Sequence, residues 1–331
     1  MKFASLKNGC RDGAPLLVSR DLKKAVHIGH IVPSIREALE RWDECQEKLE
    51  ALSELLNKGH AEETFDLDTR ELESPLPRTF QWADGSVFLN HAELVRKARN
   101  AEIPESMYQE PMLYQGASDS FIGPRDPILV AKEEWGIDLE GEIAIVTDDV
   151  PMGVNESDAG KHIKLVMILN DVSLRNLMPS ELAKGFGFFV SKPSTSFSPV
   201  AVTPDELGDA WDGRKVHLPL VCHVNGELLG APNAGVDCHF DFPKLIAYAA
   251  QSRELRAGTI LGTGTISNRD ASKGSACIQE KRMLEKLATG EMKTPHLKFG
   301  DAVRIEMRDL QGQSIFGAID QEVVRYQRGL Q

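Results

Sequence analysis

The hydrophobic pattern of this chain changes period once, and that change limits the folds open to it. From Pro33 to Leu56, apolar residues fall at Ile35, Leu39, Trp42, Cys45, Leu49, Leu52 and Leu56. This three-and-four spacing lays one apolar stripe along an amphipathic helix. Ser34 stands where an N-cap is wanted and Gly59 where a helix stops. The stripe ends after about three heptads, too soon for a sustained coiled coil, so a core-facing helix is predicted. Before it, Leu16-Leu17-Val18 and Ala25-Val26-His27-Ile28 read as short strands, set off by Gly13, Pro15 and Gly29. After it, short apolar runs and turn signals dominate. In the clearest case, Asn225-Gly226 divides Leu218–Leu229 into two apolar runs, the signature of a tight type I′ hairpin. The stretch Glu73-Ser74-Pro75-Leu76-Pro77-Arg78 marks a boundary. Residues 1–77 are therefore expected to form a small α+β N-terminal domain. Residues 78–331 are expected to form a mostly β domain with some α.

Charge and cysteine usage exclude several partners. A formal net charge of −12 over 331 residues repels phosphate backbones, so nucleic acid is not an expected partner. It leaves room for a small anionic substrate, because a local Arg, Lys or metal inverts the field inside a cleft. The five cysteines are odd in number and form no CxxC pair, which argues for reduced thiols rather than a disulfide framework or zinc ribbon. No apolar run approaches the ~20 residues that span a bilayer, and the first residues lack the apolar stretch of a signal peptide. A cytoplasmic protein with no membrane partner is the default expectation.

Three acidic segments carry the chemistry. Glu140 and Glu142 stand two apart and run into Ile143-Ala144-Ile145-Val146. On a strand they share one face, where two carboxylates repel unless a cation sits between them. Asp171 ends the apolar run Val166-Met167-Ile168-Leu169, and a buried carboxylate is costly unless paired or metal-bound. Asp119 lies in the turn-like Ser118-Asp119-Ser120-Phe121. Each alone reads more readily as a solvated edge, a strand end or a turn. Together they offer an all-oxygen ligand set, suited to Mg²⁺, Ca²⁺ or Mn²⁺ rather than zinc.

These segments resemble the fumarylacetoacetate hydrolase family over roughly residues 80–325. The order of motifs carries the resemblance. The Glu-x-Glu pair is followed by Asn170-Asp171-x-Ser173-x-Arg175, then Lys192-Pro193-Ser194, then Gly262-Thr263-Gly264-Thr265-Ile266-Ser267. The resemblance implies that family's mixed-β fold behind the small N-terminal domain, and a homodimer. It implies hydrolysis of the carbon–carbon bond of fumarylacetoacetate or a similar 1,3-dicarbonyl acid. A hydratase or decarboxylase of a 2-oxo acid, or a non-catalytic metal-binding member, remain alternatives.

By resemblance, Glu140, Glu142 and Asp171 are metal carboxylates and Asp119 is the fourth ligand of the true fumarylacetoacetases. Lys192 matches the family lysine that would hold an oxyanion or carboxylate. Arg175 would hold a substrate carboxylate or a neighbouring acid. Thr265 offers a hydroxyl and an N–H to a carboxylate, Gln115 could reach the same cavity, and Glu280 could support the site from behind. The base departs from the pattern. In mammalian-type members a His follows the first metal Asp by seven residues, and counting from Asp119 that position is Asp126. The Tyr expected two residues after that Asp is Phe121. The alternative base is His91 with Glu93 as its partner, at a spacing one residue shorter than the His–Glu dyad of the shorter members. A near-neutral pKa suits a His for general-base work. His27, His30, His223 and His239 lack ligand spacing and read as structural.

Overall fold

The apolar stripe from Pro33 to Leu56 folds as two helices, Ile35–Glu40 and Trp42–Asn57, because Arg41 leaves helical geometry at φ −124°, ψ 34°. Ser34 caps the first as expected, its side chain accepting from the Glu37 N–H at 3.2 Å. Gly59 closes the second at φ +72°. The break does not interrupt the stripe: Ile35, Ala38, Leu39, Trp42, Cys45, Leu49 and Leu56 are all buried, in one cluster with Leu17, Val26 and Ile28.

A computed structural model of the chain describes residues 1–97 and 104–328. Both strands expected near the N-terminus form, as Ala14–Val18 and Lys24–His27. Lys2–Leu6 adds a strand whose Lys-Phe-Ala-Ser-Leu alternation was too short to register as a pattern. It pairs with Ala14–Val18 on one side and, through Lys2↔Val202, with Ala201–Val202 on the other. The N-terminal segment therefore does not build a separate sheet. One large sheet runs from Phe65–Asp66 through these strands to Ile163–Asn170, Gly141–Thr147, Ile260–Gly262, Trp82–Gly85 and Leu113–Gln115.

Alternation along the two central strands serves two cores. Ala144, Val146, Leu165, Met167 and Leu169 face the N-terminal helices. Ile143, Ile145, Val166 and Ile168 face a core shared with a second, five-stranded sheet. That second sheet contains the hairpin Leu220–Val224/Glu227–Gly230, and its turn residues Asn225 (φ 52°) and Gly226 (φ 79°) both adopt the positive φ of type I′.

The central strands outrun the large sheet at one end. Their ladder pairs Leu169 with Glu142 and Asn170 with Gly141. The same chains then re-pair as Ile137–Asp138 and Ser173–Leu174 in a ladder of their own. Glu140 and Asp171 sit at the switch, where the Asp171 N–H donates to the Glu140 carbonyl at 3.0 Å. Buried polar side chains gather at this end: Asp138, Glu140, Glu142, Asn170 and Asp171. Among the described residues, no helix is long and apolar enough to cross a membrane.

Leu49 is fully buried under the sheet, whereas Leu55 on the same helix is 45% exposed. Leu49→Ala should cost about 2–5 kcal/mol in urea unfolding, and Leu55→Ala about 0.5 kcal/mol or less. Equal losses would show that this helix is not seated as described.

Candidate metal and proton-transfer site

Three carboxylates meet at the polar end of the sheet. Asp84, Glu142 and Asp171 each bring an oxygen to within 4.8 Å of the others, and all three are buried. Asp84 comes from Trp82–Gly85, where register places it between Tyr114 and Gly262. The Gly264 N–H donates to its Oδ1 at 2.9 Å. Gly264 holds φ +74°, and a Cβ there would lie 2.4 Å from the Gly85 carbonyl oxygen, so the turn that delivers this N–H requires glycine. The Gly-Thr-Gly-Thr motif is in this respect a carboxylate-holding turn.

Glu142 is the exception among these buried acids: no donor group gives either of its oxygens a hydrogen bond, and its polar neighbour is the Asp84 carboxyl. Burial, reinforced by the charges of Asp84 and Asp171, pushes its carboxyl well above the usual carboxylate range. Burial and Asp171 push Asp84 in the same direction. Asp171 is better served. Its Oδ2 accepts from the Tyr114 hydroxyl at 2.6 Å and from Lys192 Nζ, and its Oδ1 accepts from Thr195 at 3.0 Å.

Glu140 stands beside the triad but has committed both oxygens to cations. Arg175 meets Oε1 at 2.7 Å and Lys192 meets Oε2. Burial alone would raise the Glu140 carboxyl; Arg175 and Lys192 outweigh it and hold the group well below its ordinary value. The converse holds for Lys192, where burial favours the neutral amine but Asp171 and Glu140 keep the ammonium. Arg175 also binds Asp138 at 2.8 Å. Asp138 in turn accepts from the Ile278 and Gln279 N–H groups at 2.8 and 2.9 Å, at the N-terminus of helix Ile278–Thr289.

Five buried carboxylates thus face two cations, the buried Lys192 and the largely buried Arg175. Uncompensated buried charge costs several kcal/mol per ion, roughly, after relaxation. A hard divalent cation with oxygen ligands fits that deficit, and Asp84, Glu142 and Asp171 are the residues that would hold it.

His91 lies on helix Leu89–Lys97, with Nδ1 2.9 Å from Glu280 Oε2 on the facing helix. A carboxylate accepts, so Nδ1–H donates in this contact and Nε2 is the ring nitrogen not used in it. Asn90 fixes the start of the helix by donating to Ser267 Oγ at 2.8 Å and to the Asn268 carbonyl at 2.9 Å.

Several expectations need correction. Asp119 is exposed in the turn after Leu113–Gln115 and lies outside the acid group. Asp84 takes the place expected for it, and His91 follows Asp84 by seven residues, so the spacing missing after Asp119 is present on a different aspartate. Asp126 serves its own turn, accepting from the Gly123 N–H at 2.8 Å and pairing with Lys7. Phe121 is a core residue, edge-on to Phe197 at 4.9 Å. Glu93 is not the partner of His91, because residues two apart on a helix do not face each other. Its carboxylate receives a fork from Arg269 at 2.9 and 3.0 Å. Gln115 pairs with Ala83, so it points away from the face carrying Asp84. It lines a groove of about 320 Å³ with Gln81, Tyr114, Tyr248 and Arg253. Its neighbour Tyr114 is the residue that reaches the site. Arg175 is engaged with Asp138 and Glu140, and Thr265 is buried one residue beyond Gly264.

Comparison with known proteins agrees with the fold. A model of the fumarylacetoacetate (FAA) hydrolase C-terminal region matches residues 81–324, and one of fumarylacetoacetase N-terminal domain 2 matches residues 1–78. A mitochondrial oxaloacetate tautomerase of Xenopus laevis is 28% identical over 229 residues, 68% of this chain and 60% of that protein. A 2,4-didehydro-3-deoxy-L-rhamnonate hydrolase of Sphingomonas is 30% identical over 159 residues, 47% of this chain and 53% of that protein. The chain therefore spans only a little over half the length of these relatives. The structure of a fumarylacetoacetate hydrolase from Exiguobacterium antarcticum superposes with TM-score 0.68 at 18% identity, covering 98% of this chain and 100% of that one. A Sphingobium maleylpyruvate hydrolase, solved with manganese(II) and pyruvate, superposes with TM-score 0.66 at 18% identity, covering 99% and 100%. These likenesses establish a shared fold.

Glu142 binds its proton more tightly in the folded chain than in the unfolded one, whose ordinary value is 4.5. Above that pH the folded state holds the extra proton, so this group's contribution to stability falls as pH rises. With chelator present, Glu142→Gln should gain stability relative to wild type as pH climbs above about 4.5. Added Mn²⁺ should raise the melting temperature of the wild type and that of Glu142→Gln much less. Parallel pH curves together with equal metal shifts would remove Glu142 from the site.

Proposed function

Because the chain belongs to the fumarylacetoacetate hydrolase family, we propose that it is a divalent-metal-dependent enzyme cleaving the carbon–carbon bond of a 1,3-dicarbonyl acid of the fumarylacetoacetate or acylpyruvate type. One observation carries the reading. A buried carboxylate triad, with no donor group on Glu142, lies next to an ammonium group, and a histidine oriented by Glu280 is near enough for its charge to act on Glu140 beside the triad. Mg²⁺, Ca²⁺ and Mn²⁺ all suit such an oxygen set. A cation held by Asp84, Glu142 and Asp171 would supply Lewis-acid polarisation of the substrate's oxygens.

The chain's own groups handle the protons. His91 Nε2 takes a proton from water while Glu280 stabilises the imidazolium that results. The water oxygen bonds to the acyl carbonyl carbon. The carbon–carbon bond then breaks, with its electron pair passing to the oxo acid fragment (pyruvate from an acylpyruvate, a 3-oxo acid from fumarylacetoacetate), which takes up a proton at carbon. Two acids leave. Lys192, which gives two of its three N–H groups to Glu140 and Asp171, has one left for oxygen that becomes negative in this sequence, while the Tyr114 hydroxyl is committed to Asp171. The Thr265 hydroxyl is the proposed contact for a substrate carboxylate.

A second reading is favoured by the oxaloacetate tautomerase relative. Keto–enol exchange of a 2-oxo acid would use the same proton carriers without water entering the product. Ultraviolet assays separate the two, since an acylpyruvate loses its enol absorbance on cleavage and oxaloacetate only redistributes between tautomers.

His91→Ala in the metal-loaded enzyme should lower kcat by about 10²–10⁴-fold on whichever substrate turns over, with Mn²⁺ affinity unchanged. Glu93→Gln should leave kcat within about twofold, because Glu93 bonds Arg269 rather than His91. Unchanged turnover by His91→Ala would remove His91 as the base.

A further inference from the structure

Between Asp171 and Lys192 the chain makes an excursion that the proposed chemistry does not use. After helix Met178–Leu182 it returns through Gly185-Phe186-Gly187-Phe188-Phe189-Val190. Glu181 fixes the return. Its carboxylate accepts from the N–H groups of Phe189 at 3.1 Å, Val190 at 2.7 Å and Ser191 at 3.1 Å, and from the Ser191 hydroxyl. The three phenylalanines then diverge. Phe186 and Phe189 are 99% and 87% exposed, whereas Phe188 is half-buried. The Phe188 ring stands edge-on to Tyr114 at 5.4 Å between centroids and lies 5.9 Å from Lys192 Nζ. Tyr114 lies 5.3 Å from the same ammonium and hydrogen-bonds Asp171. Phe188 therefore forms a wall over the Lys192–Tyr114 side of the acid site.

We propose that Phe188 determines specificity: the tail of a bound 2-oxo acid lies against its ring, and the site selects an apolar tail over one ending in a carboxylate. The inference rests on the proposed function and narrows its substrate class to acylpyruvates with an apolar acyl group. The physical reason is a lack of compensation. Arg175 and Lys192 are each already shared by two carboxylates. A distal carboxylate pressed against an aromatic face would be desolvated without a partner, while a methyl-ended tail gains buried contact.

The test is binding, which requires no turnover. Pyruvate, 2-oxohexanoate and 2-oxoadipate are titrated calorimetrically into the full chain loaded with Mn²⁺. The last two acids have equal carbon number and differ only in the terminal group. 2-Oxohexanoate should bind about tenfold or more tighter than 2-oxoadipate. Phe188→Ala should bring that ratio near one and Phe188→Arg should invert it, with pyruvate affinity little changed. Phe188→Leu and the exposed Phe186→Ala should keep the preference. A wild-type ratio near one, a ratio that survives Phe188→Ala, or equal losses for all three acids would overturn the proposal. The preference observed without cleavage of any acylpyruvate would refute the hydrolase reading and leave the wall standing. Cleavage without a Phe188-dependent preference would do the reverse.

Discussion

Buried negative charge is the constraint on which the rest of this structure depends. Five carboxylates, Asp84, Asp138, Glu140, Glu142 and Asp171, lie at one end of the large sheet against two cations. The chain neutralises part of this charge by its own means. Arg175 joins Asp138 to Glu140, Lys192 joins Glu140 to Asp171, and the start of helix Ile278–Thr289 gives two N–H groups to Asp138. Tyr114 and Thr195 spend hydroxyl protons on Asp171. Glu142 is left with no donor group, only the neighbouring Asp84 carboxyl, and Asp84 has one backbone N–H from Gly264. This uneven distribution separates Asp138, Glu140 and Asp171, which the chain compensates, from Asp84 and Glu142, which it leaves with little compensation.

The topology explains why the cluster sits where it does. The strands carrying Glu142 and Asp171 leave the large sheet and re-pair as a short ladder, so their side chains change company at the crossing. Trp82–Gly85 enters the same sheet as a parallel neighbour of Ile260–Gly262, which brings Asp84 beside the turn containing Gly264. The N-terminal helices cover the face on which Ala144 and Val146 lie, in the same alternation as Glu142. The N-terminal segment is thus continuous with the sheet and packs on the strand face that also carries Glu142.

Much of this was legible in the sequence, and the failures have physical causes. The stripe from Ile35 to Leu56 and the Asn225-Gly226 turn are local signals, and both fold as read, apart from the break at Arg41. Glu142 and Asp171 announced themselves as acids inside apolar runs. Asp84 did not, because Trp-Ala-Asp-Gly is too short a strand to display a pattern and its burial comes from neighbours distant in sequence. Asp119 enters as the fourth ligand only through the family resemblance, whereas the seven-residue interval from Asp84 to His91 is itself visible in the sequence. Tyr114 and Gln115 differ by one position, and only register decides which of them faces Asp84. The His91–Glu280 contact joins residues 189 apart in sequence, a pairing that no local spacing reveals.

The most direct measurement is anomalous diffraction from crystals grown with Mn²⁺ and recorded at the manganese edge. The account requires one strong peak bounded by carboxylate oxygens of Asp84, Glu142 and Asp171. A peak at Asp119 or elsewhere on the surface, with none among those three side chains, would contradict it.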